Sequence, residues 1–357
     1  MKKRIISLIV TLFMVFSFAP LCFAENLHIS IDEGLEALQS QFSRDRGPSV
    51  KGISIDYSFF SPVTTENDET KYPLVIIMAG AREGTYEGKE LTANEFANWS
   101  SKEYQARFLE SGGAFILIAR APEEKLLTWN ASELVAPLKG AIDDFIVKHP
   151  QVDTSRIYAL GWCLGAKGAI NITVNYPGFI SAVAVMVPPF KISESEAKKL
   201  SNVPVWLMGC KADSYALYDL YIEPSWKNLL KYAEDPKQKR LTSYETAVDT
   251  TFFLNHNVWL MVSHDMNYAK AVYTGMKTIN GNGTEIKAMP GFINLFSRYG
   301  LEKYDLVTAD DDYCSCLCHS KNSIFHTCWK IIALFRYYVI RERTVCECGV
   351  DHWQLRT

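Results

Sequence analysis

"RIYALGWCLGAKGAI" (156–170) runs from an apolar stretch through a sharp turn into a helical pattern, with Cys163 at the apex of the turn. Within it, Gly161-Trp162-Cys163-Leu164-Gly165 has the spacing glycine-x-nucleophile-x-glycine. That spacing has a physical basis. The apex residue takes a strained backbone conformation that pushes its side chain into a cleft, and the flanking positions approach neighbouring backbone too closely for a Cβ. The following helix aims its N-terminus at the apex. Its dipole favours a thiolate at Cys163, and the Leu164 N–H is placed to bind an oxyanion. Cys163 can therefore be a nucleophile, a replaced serine without activity, or an inert buried thiol.

Outward from the elbow, apolar runs alternate with helical patterns. "IDYSFFSPV" (55–63), "YPLVIIMAG" (72–80), "GAFILIARA" (113–121), "ISAVAVMVP" (180–188), "VPVWLMGC" (203–210) and "VWLMVSH" (258–264) read as strands. Most are apolar throughout, as in strands buried on both faces. Helical spacing marks 132–149 with Ser132 as N-cap, 164–176, 193–200 and 223–233. The alternation predicts an α/β fold, a mostly parallel sheet with helices on both faces. Ligands of such sheets sit at the carboxyl ends of the strands. Chemistry is therefore sought near Gly80, Ala121, Cys163, Pro188, Cys210 and His264.

The chain has 357 residues and a net charge of −3, so no basic field draws it to nucleic acid or to an anionic membrane. "MKKR" followed by "IISLIVTLFMVFSFAPL" reads as a secretory leader cleaved after Ala24, which predicts a secreted or periplasmic protein without stable membrane insertion. Residues 25–306 then form the α/β domain. Cysteines are sparse up to residue 306 (Cys22, Cys163, Cys210) and dense after it (Cys314, Cys316, Cys318, Cys328, Cys346, Cys348). Residues 307–357 are thus a compositionally separate tail. Its C-x-C-x-C-H spacing matches no simple pair of zinc knuckles, and no metal is assigned to it.

"VDTSRIYALGWCLGAKGAI" resembles the elbow region of α/β-hydrolase esterases related to polyhydroxybutyrate depolymerases, feruloyl esterases and a group of secreted peptidases. "YPLVIIMAGAREGTYEGKELTANEFANW" resembles their first active-site loop, and "VPVWLMGCKAD" their acid-bearing strand. "GWCLG" is also similar to the elbow of dienelactone hydrolases, whose nucleophile is a cysteine. The resemblance spans roughly residues 50–270. It implies an α/β-hydrolase fold and a Cys163–Asp213–His264 triad, in the fold's order of nucleophile, acid and histidine. His256, in "FFLNHNVW", is the second candidate for the base. The oxyanion hole falls on Leu164, Ala81 and Arg82, and no cofactor is implied. The implied activity is hydrolysis of a small-molecule or polysaccharide-linked carboxylic ester through a thioester acyl-enzyme. The chain departs from these relatives in its first loop, where Ala79-Gly80-Ala81-Arg82 replaces His-Gly-x-Gly. That departure keeps open a catalytically impaired binding protein on the same scaffold, and a peptidase remains the other alternative.

Overall fold

The apolar runs become neighbours in one sheet. The computed structural model describes residues 37–63, 65, 69–80, 91, 96–106, 108, 111–122, 128–247, 255–256, 273–286, 342–345 and 351–354. The strands are β1 (Ser43–Arg46), β2 (Asp56–Phe60), β3 (Tyr72–Met78), β4 (Phe115–Arg120), β5 (Val152–Trp162), β6 (Ala182–Met186), β7 (Val205–Cys210) and β8 (Lys239–Tyr244). With β11 (Lys277–Asn280) they form a nine-stranded sheet in the order β1-β2-β4-β3-β5-β6-β7-β8-β11. The strands from β4 through β8 in that order are parallel. β2 is antiparallel to both its neighbours, and β11 is antiparallel to β8. Between them in sequence, β9 (Thr246–Ala247) and β10 (Tyr273–Thr274) make a small antiparallel pair. Every residue of β3, β6 and β7 is buried, so these strands are covered on both faces.

Residues 37–307 form one compact unit; residues 1–36 and 308–357 form another. In the second unit the described residues are an antiparallel pair, β12 (Glu342–Val345) with β13 (Asp351–Gln354).

Helix α1 (Val135–Lys148) buries Pro137, Leu138, Ala141, Ile142 and Phe145, a one-sided stripe at helical spacing. Phe145 meets Tyr57 and Phe115 edge-on, each at 5.8 Å between ring centres. Ser132 is not the cap of this helix. It lies in a short 3-10 turn (Ser132–Leu134) that runs directly into α1, and Leu134 occupies the cap position without a side-chain bond. The turn leaves no break in the chain for a capping hydroxyl to fill. Helix α2 (Leu164–Asn175) begins at the elbow. Helix α3 (Glu194–Lys199) opens on a capping box: Ser193 Oγ accepts from the Glu196 N–H at 3.2 Å and Glu196 Oε2 accepts from the Ser193 N–H at 2.8 Å. Helix α4 (Glu223–Tyr232) carries Pro224 in its first turn.

Strand β8, "KRLTSY", escapes the hydrophobic reading of the sequence because three of its five buried residues, Lys239, Arg240 and Thr242, are polar. Each has a tertiary partner. Lys239 Nζ donates to the carbonyls of Leu200, Ser201 and Val203 at 2.8, 3.1 and 2.5 Å. Burial pushes its pKa down to about 8, yet three carbonyls take three N–H bonds, a number only the ammonium form offers. The Arg240 guanidinium lies over the Trp206 ring at 5.8 Å. Thr242 Oγ1 accepts from Trp206 Nε1 at 2.8 Å and shares a hydrogen bond of 2.9 Å with Thr278 on β11.

Lys167, one turn into α2, does not run out to water. Its Nζ pairs with Glu196 Oε1 at 2.5 Å and lies 4.9 Å from the centre of the Phe190 ring. Burial pushes the Glu196 carboxyl up, but hydrogen bonds from Lys167 and Ser193 outweigh it and hold the pKa below its ordinary value of 4.5. A lowered carboxylate pKa stabilises the fold at pH above the unfolded value and loses that effect as pH falls through the folded one. Thermal melts at about pH 7 and about pH 3.5 should therefore show a smaller acid-induced fall in Tm for Glu196→Gln than for the parent protein. An equal fall in both would place the acid sensitivity elsewhere.

Candidate active site

The site is built from the end of β5. Cys163 has φ 54° and ψ −119°, a backbone region that side-chain-bearing residues rarely adopt. It is held there from both sides. Its N–H donates to the Met186 carbonyl of β6 at 2.9 Å, and its carbonyl accepts from the Ala166 N–H at 3.1 Å. The two flanking glycines are sterically required. A Cβ on Gly165 would collide with the carbonyl oxygens of Met78 and Ala79 at the end of β3. A Cβ on Gly161 would collide with the Gly165 carbonyl and the Ala166 Cα. The elbow is thus wedged between its own helix and the neighbouring strand. Cys163 stands at the N-terminus of α2 and its side chain does not cap the helix. The first N–H groups of a helix, here beginning with Leu164, have no partner within it and point toward that end. A second strained residue, Val187 with φ 39°, ends β6 beside the elbow. Its N–H is pinned to the Met208 carbonyl at 3.0 Å.

Asp213 follows β7. Its side chain is fully buried, and both oxygens are committed. Oδ1 accepts the N–H groups of Tyr215 at 2.7 Å and Ala216 at 3.0 Å, an Asx-type turn that fixes the carboxylate. Oδ2 meets His256 Nδ1 at 2.6 Å. The imidazole is nearly as buried as its partner, with 4% of its side chain exposed. A carboxylate can only accept, so Nδ1 carries the proton and Nε2 is the ring nitrogen left for chemistry. The turn bearing His256 begins at Asn255, which has φ 66°, a conformation asparagine tolerates well.

Trp162 joins the two halves of the site. Its Nε1–H donates to the His256 carbonyl at 3.2 Å, and its ring lies 5.5 Å from the imidazole. The far edge of the same ring fills the space over Gly80, where a Cβ would strike it. The residue beside the apex therefore positions the histidine turn, a role its place in the motif does not announce.

Of the residues expected at the site, Cys163 and Leu164 form the elbow and Asp213 lies in a buried carboxylate–imidazole pair. The histidine of that pair is His256. His264, Ala81 and Arg82 lie outside the described residues, as does the strand expected over 258–264. The signal that favours His256 is β8 itself. Once "KRLTSY" is recognised as the strand after the acid, His256 is the first histidine beyond it. Neither Cys163 nor Cys210 is disulfide-bonded. β6 lies between their strands, which keeps the two thiols beyond bridging distance.

The strand order, the antiparallel β2, the strained elbow after β5 and the acid after β7 define the α/β-hydrolase fold. Comparison with the solved structure of a thermostable esterase agrees on the fold. The chain is similar to that esterase with a TM-score of 0.53 and 20% identity, over 63% of this chain and 60% of that one. It thus spans about three-fifths of that esterase's length. An acylaminoacyl peptidase of Pyrococcus horikoshii matches with a TM-score of 0.40 and 15% identity, over 54% of this chain and 35% of that one. An esterase of Pyrococcus furiosus matches with a TM-score of 0.44 and 12% identity, over 59% of this chain and 85% of that one. No protein-family model matches the sequence, and no curated protein matches it.

The strain at Cys163 can be measured apart from any activity. Glycine accepts φ 54°, ψ −119° without penalty, whereas alanine keeps the strain. Cys163→Gly should be more stable than Cys163→Ala by about 1 kcal/mol in urea unfolding, despite the greater backbone entropy glycine loses. Equal stability would mean that the elbow carries no strain.

Proposed function

We propose that the protein hydrolyses carboxylic esters, with Cys163 as nucleophile, His256 as base and Asp213 as the residue that orients the imidazole. The observation that carries this reading is the buried Asp213–His256 pair, on a fold whose strained elbow presents a thiol. The similarity to a thermostable esterase supports the same reaction class. Export from the cell, read from the leader, belongs to this reading, and so does a small-molecule or polysaccharide-linked substrate.

In the first step His256 Nε2 takes the Cys163 proton, and the thiolate adds to the ester carbonyl carbon. The N-terminus of α2 favours the thiolate and offers the Leu164 N–H to the developing oxyanion. The imidazolium then returns its proton to the departing alcohol, leaving an S-acyl Cys163. Water, deprotonated by His256, attacks that thioester and releases the acid. Asp213 stabilises the imidazolium and holds the tautomer in which Nε2 is bare.

Turnover of p-nitrophenyl acetate tests the scheme. The parent protein should hydrolyse it, and Cys163→Ala should abolish the reaction above background. Asp213→Asn can donate a hydrogen bond to Nδ1 and so select the wrong tautomer, which should lower kcat by about 10³- to 10⁴-fold. His256→Ala should fall to the level of Cys163→Ala. Equal rates for the parent and Cys163→Ala would sink the proposal. Loss of activity in His264→Ala with retention in His256→Ala would overturn the choice of base.

A further inference from the structure

We infer that the substrates of this site are aryl esters, whose leaving group is a phenol rather than an alkyl alcohol. The inference deepens the ester-hydrolase reading and rests on it. Two independent observations carry it: the thiol at the apex and an exposed apolar turn whose Tyr215 ring lies against the imidazole.

The first argument is one of leaving groups. When the Cys163 thiolate adds to an ester, the carbonyl π pair moves to oxygen. The tetrahedral intermediate then holds sulfur and the ester oxygen on one carbon. Collapse expels the weaker base. An ordinary cysteine thiol has a pKa of about 8.5, and a helix N-terminus such as that of α2 lowers it. An alkoxide is about as basic as hydroxide, whose parent water has a pKa of about 15.7. For an alkyl ester the intermediate therefore returns to thiolate and starting ester unless proton transfer to the alcohol is essentially complete. A phenol, at about pKa 10 as in tyrosine, nearly matches the thiol. Its C–O bond breaks with the electron pair on the phenolic oxygen, which takes the proton from His256 Nε2. An S-acyl Cys163 and a free phenol result. Water then adds to the thioester and gives its proton to His256. The thiolate leaves, and a carboxylic acid is released. A serine at the apex would have an alkoxide as basic as an alkyl leaving group, so the cysteine narrows the range of esters.

The second argument is the surface that meets the leaving group. The departing oxygen must reach His256 Nε2 to be protonated, so its substituent lies beside the imidazole. Tyr215 stands there, with ring centres 5.5 Å apart and planes tilted by 52°. Among the described residues, the exposed large hydrophobic side chains are Tyr215 (50%), Leu217 (43%), Leu220 (54%) and Val147 (81%). Three of these four, Tyr215, Leu217 and Leu220, fall within six residues of one another, on the turn whose Tyr215 ring meets the imidazole. They are exposed but not loosely held. Asp213 Oδ1 pins the backbone at Tyr215 and Ala216, and the Leu217 carbonyl accepts from the N–H groups of Leu220 at 3.2 Å and Tyr221 at 2.8 Å. A π-helical turn, Tyr218–Ile222, then lays Ile222 and the Tyr218 ring over Gly209. A rigid, apolar turn that begins with an aromatic ring beside the proton donor suits a flat aromatic leaving group.

The test uses the purified full chain with phenyl, benzyl and 2-naphthyl acetates. Phenyl and benzyl acetate share an acyl group and a ring, but one releases a phenol and the other an alkanol. The ratio of their kcat/KM values is divided by the ratio of their hydroxide-catalysed rates. That normalised ratio should exceed one by about 100-fold or more and fall toward one in Cys163→Ser. The double variant Leu217→Ser/Leu220→Ser should raise KM for 2-naphthyl acetate by about tenfold, whereas Val147→Ser, the same kind of change on α1, should not. A normalised ratio near one in an active parent protein would overturn the aryl-ester inference and leave the ester-hydrolase reading standing. An unchanged KM in the double variant would overturn the role of the turn. Failure to turn over any of the three acetates, or p-nitrophenyl acetate, would remove the underlying reading and this inference with it.

Discussion

The carbonyl oxygens of Met78 and Ala79, at the end of β3, leave no room for a Cβ at Gly165. Much of the site follows from that contact. With Gly165 pressed against β3, the first turn of α2 is held close to the sheet. The chain can then leave β5 only through one strained residue. Cys163 is that residue, and the hydrogen bond from its N–H to the Met186 carbonyl prevents the strain from relaxing into the neighbouring strand. Strain of this kind persists where surrounding structure over-determines it. Here the surroundings are two glycines, two adjacent strands and the helix itself.

The second half of the site depends on a different economy of hydrogen bonds. Asp213 is a buried carboxylate, which is costly unless every lone pair that matters is used. One oxygen is satisfied by two backbone N–H groups and the other by the imidazole. The same turn that satisfies the acid also presents Tyr215 to the ring. Trp162, fixed by its place beside the apex, holds the histidine turn through the His256 carbonyl. The elbow, Asp213 and His256 thus share supports, although they come from segments about fifty residues apart in sequence. Removing one partner of the buried pair would strand the other, so this pair is sensitive to substitution on physical grounds alone.

Much of this was legible in the sequence because it depends on residue types with few substitutes. The elbow could be read from two glycines around a cysteine between an apolar run and a helical one. The parallel strands β3, β6 and β7 announced themselves as continuous apolar runs. β8 did not. Three of its five buried residues are lysine, arginine and threonine, which a hydrophobic pattern assigns to the surface, and tertiary partners make their burial tolerable. The polar character of β8 bears on the site as well. A sequence pattern without β8 puts the last strand at 258–264, outside the described residues, and His264 at its end, whereas the imidazole on Asp213 is that of His256. The Ser132 cap failed for a related reason. Helix propensity and cap preference are local, whereas the 3-10 turn that precedes α1 is a feature of how the chain enters it.

The thiol at the apex separates what the fold requires from what the chemistry requires. The elbow constrains backbone shape and the absence of side chains at positions 161 and 165; it is indifferent to whether the apex bears oxygen or sulfur. The imidazole is less indifferent. Toward a hydroxyl it must act as a strong base at the moment of attack, whereas a thiol beside a helix N-terminus gives up its proton readily. In the reaction proposed for this site, the difficult proton transfer then moves from the attack to the departure of the alcohol. That shifts importance from the group that activates the nucleophile to whatever surrounds the leaving oxygen. In this chain the surroundings include Tyr215, held by the same carboxylate that orients His256. Asp213 therefore positions both His256 and the Tyr215 ring beside it, and in the proposed reaction the thiol at the apex and the apolar turn after β7 are two parts of one arrangement.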